Sequence, residues 1–434
     1  MADIAHYVER RRALNFVHPV AVEFLADADF NRKVTNVQKP TAKQQADTDN
    51  AVATLRALGL INGPVDLQQA SNKLASQEIL GLYSYKAKRV FVRGSQLTPD
   101  VRETLAHELT HALQDQVFDL SRYDDAPSGV STAYRALFEA DAMRVAASYV
   151  DTLPAADKQS VDSTRSQQVA QANQAKSDVP DVLGQILEFP YAFGPAFVAA
   201  LDHQGGTDAI NRAFKKPPVS EAQILDPQSY LSGTVPQKVA APVLAPNQKK
   251  LDHADDFGQV SMVMVLGQRL DYGKVWPALQ GWAGDQYVTY REGGRVCVAV
   301  DTALRNQAFA DRFASTTSAW AATLPAATET RLGPTLVELR SCDPGNAGAA
   351  PKPPATAPFD VLAVRSQIIA GAEQAGVPLG VATCAADGII AQAGPDAVGA
   401  LASVQDDKDP RIVRLQAVGQ RVATACARSA GLTR

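Results

Sequence analysis

The stretch Thr98-Pro-Asp-Val-Arg-Glu-Thr-Leu-Ala-His-Glu-Leu-Thr-His-Ala-Leu-Gln-Asp-Gln116 decides the fold. Pro99 stands where a first helical residue belongs, and Thr98 is placed to cap it. Leu105, Leu109 and Ala112 recur at helical spacing and predict a core-facing stripe. Within this helix lies His107-Glu-Leu-Thr-His111, an HExxH motif. Two histidines four residues apart leave the same helix face one turn apart, which suits two ligands of one zinc ion at about 2.0–2.1 Å. Glu108 is offset in angle from both. It is therefore expected to reach a water beside the metal and act as general base. The bland alternative is a solvated helix face carrying two ordinary histidines.

A working site needs a third protein ligand. The long HExxH form with a third histidine is excluded, because Gln114 and Val117 occupy its Gly and His positions. The downstream histidines, His203 and His253, sit in loop-like sequence, so a carboxylate is expected instead. The next strong helical pattern, Ser131 to Tyr149, places Ala136, Glu139, Met143 and Ala147 on one stripe. A Glu among small apolar neighbours is costly to bury without a partner, and the metal is one on offer. A salt bridge from Arg135, one turn back, is the other. Asp141 is the alternative ligand, or an acceptor that orients a ligating histidine.

Working outward, Leu80 to Arg93 reads as strand, tight turn and strand directly before this helix. It is expected to set a sheet edge beside the site, where an extended peptide could pair. Residues 3–14 predict a short helix with Glu9, Arg10, Arg11 and Arg12 on its solvated side. Val20–Leu25 predicts a strand, and helices follow at about 41–58 and 66–76. Residues 155–178 read as a hydrophilic helical excursion. Leu187 to Leu201 is apolar and central, ended by Gly205-Gly206, with a short helix from Asp208 to Phe214. Tyr191, His203 and Tyr230 are candidates to stabilise an oxyanion, against the plainer reading of a core tyrosine with a satisfied hydroxyl.

These pieces together resemble bacterial, often exported, HExxH zinc metallopeptidases of gluzincin type. The resemblance rests on His107–Gln116, Leu137-Phe-Glu-Ala-Asp-Ala142, Tyr191-Ala-Phe-Gly-Pro-Ala-Phe-Val198 and Pro217–Pro227, and spans roughly residues 75–232. It implies a zincin-like domain, His107, His111 and Glu139 as zinc ligands, and Glu108 as catalytic base. Ala140 stands where that pattern has Gly, and Asp226 where it has His before Pro. The interval from His111 to Glu139 is longer than in the best-known gluzincins.

The chain has 434 residues, 46% hydrophobic and 20% charged, with net charge −4. That suits several globular domains and gives no electrostatic footprint for nucleic acid. No run of eighteen apolar residues predicts a membrane span. Beyond Pro236, a Pro-rich polar segment leads to an amphipathic helix at 255–270 and a short helix at 275–279. Strands follow at 281–290 and 295–300, joined by Glu292-Gly-Gly294. A helix is expected from Thr302 to about Leu324, and a strand at 331–339. Residues 346–358 read as a Pro/Ala-rich linker, and 359–434 as a small helical domain with helices near 359–375, 378–392 and 409–429.

The four cysteines are Cys297, Cys342, Cys384 and Cys426. Proximity in sequence pairs Cys297 with Cys342 and Cys384 with Cys426, and two disulfides favour an oxidising compartment. Met1 to Tyr7 has no signal-peptide apolar region, so either an extracellular or cell-envelope protein has its export segment outside this sequence, which the disulfides favour, or the protein is cytoplasmic with four buried free thiols. The expectation is an α+β, mostly helical protein with a metallopeptidase domain at 1–235, an α+β domain at 236–345, the linker and the tail. Its expected cofactor is one Zn2+. Its expected partners are a peptide or protein substrate and possible contacts through the tail, with no nucleic acid. The second hypothesis is an extracellular binding or scaffold protein that keeps the fold without turnover. A third is a structural zinc site closed by Asp141.

Overall fold

The computed structural model describes residues 1–35, 39–78, 80–176, 179–345, 348, 350–354, 356–399, 401 and 410–431. The protein is α+β and mostly helical. It divides into two compact units. Unit 1 is Met1–Lys39, Asp66–Ala126 and Ser131–Pro218; unit 2 is Pro40–Val65, Pro127–Val130 and Val219–Arg434.

In unit 1, α1 (Ala2–Arg12), β1 (Ala21–Leu25) and α2 (Asp27–Val34) are followed by α4 (Leu67–Glu78), β2 (Gly81–Ser84) and β3 (Arg89–Arg93). Then come α5 (Pro99–Phe118), a 3-10 turn at Leu120–Tyr123, α6 (Ser128–Val150), α7 (Ala155–Lys176) and α8 (Asp181–Lys215). The sheet order is β1-β3-β2, with β1 parallel and β2 antiparallel to β3, so β2 is an end strand. The expected hairpin is present and lies against α5. Leu105, Leu109 and Ala112 are buried, joined in one core by Ile4 and Val8 of α1, Tyr83, Val90 and Val92 of the hairpin, and Val145 of α6. Thr98 stands at the start of α5 in an extended conformation with Pro99 just inside, but its side chain makes no cap bond.

Two glycines let elements approach where no side chain fits. A Cβ on Gly81 would meet Thr104 Cγ2 at 2.5 Å and Glu108 Cγ at 2.9 Å. One on Gly194 would meet the Ala136 carbonyl at 2.5 Å, so α8 crosses α6 at backbone contact. The helix α8 is long and apolar enough by composition to cross a membrane, although it contains no unbroken run of eighteen apolar residues. Phe189, Phe193, Phe197 and Leu201 are nevertheless buried in unit 1, and non-helical backbone at Gly205 and Gly206 breaks it. His203 lies on this helix rather than in a loop.

Arg12 departs most from expectation. Ile4, Val8 and Arg12 follow at i, i+4 and i+8, so they share the buried face of α1, and Arg12 is 0% exposed. The expected stripe on α6 also runs out: Ala136 and Glu139 are buried, Met143 is half-buried and Ala147 is exposed.

In unit 2, α3 (Ala42–Ala57) begins with a capping box between Thr41 and Gln44. The expected first domain held this segment. In the division into compact units it groups with α9 (Glu221–Leu225), α10 (Pro227–Leu231), β4 (Lys249–Lys250), α11 (Gln259–Gly267) and α12 (Tyr272–Leu279). Then follow β5 (Trp282–Glu292), β6 (Arg295–Leu304), α13 (Gln307–Ala321), β7 (Ala327–Arg331) and β8 (Leu336–Cys342). The sheet order is β4-β5-β6-β8-β7, all antiparallel. The helix expected from Thr302 starts only at Gln307, because β6 runs on to Leu304. The expected single strand at 331–339 is two, β7 and β8. The expected amphipathic helix at 255–270 is the shorter α11, buried nearly all round.

The tail holds α14 (Pro358–Gln374), α15 (Leu379–Ala393), α16 (Pro395–Gly399) and α17 (Pro410–Ser429). Disulfides join Cys297 to Cys342 and Cys384 to Cys426. The described residues of the 346–358 segment form neither helix nor strand before Pro358; its Asn346, Ala347, Ala349 and Ala355 lie outside the described residues, as does Asp409 of the expected last helix.

Candidate metal centre

Unit 1 brings His107, His111 and Glu139 together, their ligand atoms all within 4.8 Å of one another. The α5 spacing stacks the two imidazoles one turn apart, with His107 Nε2 and His111 Nε2 2.9 Å apart. Glu139 on α6 brings Oε2 to 3.3 Å from the first and 3.2 Å from the second. Oε2 is buried and has no hydrogen-bond partner. Arg135 sits 3.8 Å from the other oxygen, so the salt bridge weighed against ligation coexists with this convergence.

Three donors bound tetrahedrally at ~2.05 Å would stand about 3.3 Å apart. The observed triangle is close to that, and its N, N, O composition suits zinc. His107 is the accessible member, its side chain 19% exposed, while His111 and Glu139 are each at 9%. Burial disfavours charge at both His111 and Glu139, but their mutual attraction outweighs it. It holds His111 above and Glu139 well below their ordinary values.

Behind His111 runs a chain of buried polar groups. Its Nδ1 lies 3.0 Å from Gln114 Oε1. The Gln114 amide nitrogen donates to Asp141 Oδ2 at 2.8 Å and to the Phe138 carbonyl at 3.1 Å. Both recipients are acceptors only, so they take both amide hydrogens and fix the orientation of the amide. Its oxygen then faces His111, so that when the ring is neutral Nδ1 carries its one proton and the Nε2 lone pair would point into the triangle. Asp141 is fully buried between Arg12 Nε at 2.8 Å and Arg144 NH2 at 3.0 Å. Burial pushes this carboxyl up, and the two arginines more than offset it. Asp141 is thus outside the donor set and acts behind it.

Glu108 is buried beside the hairpin, and its Oε2 accepts the Tyr83 backbone N–H at 2.6 Å. The Tyr83 hydroxyl and Lys88 Nζ both bond Asp115 Oδ2, at 2.6 and 2.7 Å. Tyr191 and Tyr85 are 39% and 40% exposed. Desolvation pushes both hydroxyls up, and the nearby Glu139 carboxylate adds to this in each case. His203 is exposed on α8 and outside the donor set; Tyr230, Asp226 and His253 belong to unit 2.

Sequence reasoning used Gln114 only to exclude a motif, although its i+3 spacing from His111 already put both on one face. Tyr85 and Arg12 were missed as neighbours of the site. A second cluster, Glu292, Cys297 and Cys342, has metal-like spacing, but its two sulfurs are joined to each other and offer no thiolate.

Comparison with known proteins gives one family match. Residues 248–344 match a family described as "Domain of unknown function (DUF8575)", which covers the sheet of unit 2 and not the donor triangle. No curated protein and no solved structure matches the chain.

Proposed function

We propose that this protein is a zinc-dependent peptidase, with His107, His111 and Glu139 holding one zinc ion and Glu108 as general base. The observation that carries the reading is the convergence of two imidazole nitrogens and an otherwise unpartnered carboxylate oxygen at 2.9–3.3 Å, one residue from a buried carboxylate. The order hairpin, HExxH helix and third-ligand helix also supports a zincin-like domain.

Zinc in this position would polarise a scissile carbonyl and acidify water. Glu108 takes a proton from the attacking water and returns it to the leaving amine. The Tyr191 hydroxyl donates to the developing oxyanion. The end strand β2 lies beside the site, and the part of its outer edge beyond the Tyr83 N–H, which Glu108 takes, would pair an extended peptide, which supports a peptide or protein substrate. The two disulfides support an oxidising compartment, extracellular or in the cell envelope, and the tail helices offer a surface for a partner protein.

The test is zinc content together with cleavage of an unfolded protein, for wild type and Glu108→Gln side by side. Both are expected to hold about one zinc, since Glu108 is not in the donor set, and removal of the base should slow cleavage by about 10²–10⁴-fold. Zinc in both with cleavage by neither favours the binding-protein reading. Absence of zinc from both overturns the proposal.

A further inference from the structure

Among the described residues Arg12 is the largest fully buried charged side chain, and the zinc reading gives it no task. It is the last residue of α1, and Ala13 ends that helix in the left-handed region, its N–H returned to Arg10 and Glu9. The side chain is thereby delivered inward, with Ile4 and Val8 packed on the same face. Its guanidinium meets Asp141 at 2.8 Å and lies 5.2 Å from the Phe214 ring centre. No nitrogen of it makes a well-aligned hydrogen bond, so the contact with Asp141 is ionic. A sealed cation of this kind is expensive unless the anion it faces is needed where it stands.

We propose that Arg12 is a positioning residue for the metal centre, acting through Asp141 and Gln114 to fix the His111 tautomer. Docking of α1 then sets the affinity for the ion. Each link has one chemical direction. Arg12 and Arg144 hold the Asp141 carboxylate in place, at 2.8 and 3.0 Å. Asp141 and the Phe138 carbonyl consume both hydrogens of the Gln114 amide. In the neutral ring the amide oxygen accepts from His111 Nδ1, and Nε2 is left as a lone pair among the donors. If Asp141 moves, the amide is free to turn over, and Nε2 can then carry the proton and point it at the ion. This rests on the zinc reading for its consequence, but not for the tautomer.

The experiment uses the full chain and two readouts. The first is the His111 tautomer in metal-free protein, from 15N–1H correlations of the imidazole recorded above about pH 9, where the ring has given up its second proton. The second is zinc affinity by chelator competition. Wild type is expected with the proton on Nδ1. Gln114→Met and Arg12→Met should lose that preference and bind zinc about 10–100-fold more weakly. Arg12→Lys, which keeps the charge, should recover part of both. Arg11→Met is the control: Arg11 meets Ser148 at 3.2 Å and Asp202 at 3.6 Å, neither of them in the relay, so it should leave tautomer and affinity unchanged. Should Arg12→Met fail to fold, Gln114→Met with Arg12→Lys decides the matter. A wild-type His111 protonated on Nε2, or unchanged tautomer and affinity in the variants, overturns the proposal. If wild type binds no zinc, the function proposed above falls, while the tautomer still decides for or against the relay.

Discussion

The backbone N–H of Tyr83 meets the Glu108 carboxylate at 2.6 Å. A strand of the small sheet therefore holds a side chain of the HExxH helix, and the two cannot shift independently. The approach that allows this depends on Gly81, two residues earlier, where any side chain would enter Thr104 and Glu108.

Gly81→Ala is accordingly expected to destabilise unit 1 by about 1–3 kcal/mol, the usual cost of an added carbon in a closed contact. Urea denaturation measures it. Because the nearest clash is with Thr104 Cγ2, the double variant Gly81→Ala/Thr104→Ser should regain part of the loss. Equal stability of Gly81→Ala and wild type would show that β2 and α5 have room to part.

Glu221, at the first turn of α9, gives unit 2 a pH dependence. Burial raises its carboxyl to about 8, although the Val260 N–H bonds it at 2.9 Å. A carboxyl that holds its proton more tightly folded than unfolded contributes most below its unfolded value and loses that contribution as pH rises through the folded one. Asp285 nearby, pushed up to about 6 by burial, acts in the same direction. The melting temperature of unit 2 should therefore fall between pH 4.5 and about 8, and Glu221→Gln should flatten most of that slope. A wild-type profile that rises across this interval would contradict the assignment.

Replacing both Cys297 and Cys342 with Ala opens a loop of 45 residues. Loop-closure entropy puts the loss at about 2–4 kcal/mol. It should appear as a lower urea midpoint for the double variant under oxidising conditions and vanish when wild type is reduced. A midpoint unaffected by the double substitution would mean that the sheet does not rely on the link.

The site was legible in sequence where one helix carried the information. His107 and His111 are fixed by helical spacing, and the core stripe told which face was inward. Glu139 needed a second helix and a cost argument, because a carboxylate among small residues must find a partner. Both cysteine pairs followed from proximity, and the β5–β6 hairpin from Glu292-Gly-Gly294, whose glycines both take positive φ. Arg12 was hidden by its neighbours. The run Glu9-Arg-Arg-Arg12 looks solvated, and only the phase set by Ile4 and Val8 turns its last member inward. The β7 strand was missed because Ala327–Arg331 alternates half-buried and exposed residues with no apolar face. That α3 groups with unit 2 follows from tertiary contacts such as Arg56 with Asp343, at 2.6 Å, which no local pattern announces.

The disulfide between directly opposed residues of β6 and β8 also governs how this sheet would bear load. Cys342 closes β8 and Cys297 lies near the start of β6. Tension applied through the tail helices enters β6 across the sulfur bridge before it can peel β8 from its neighbours. The strands cannot slide past each other by even one residue, which would otherwise turn every inward side chain outward. The tail is therefore tethered to the central strand β6 as firmly as to β8, and a pull on it would have to break the sheet as a whole.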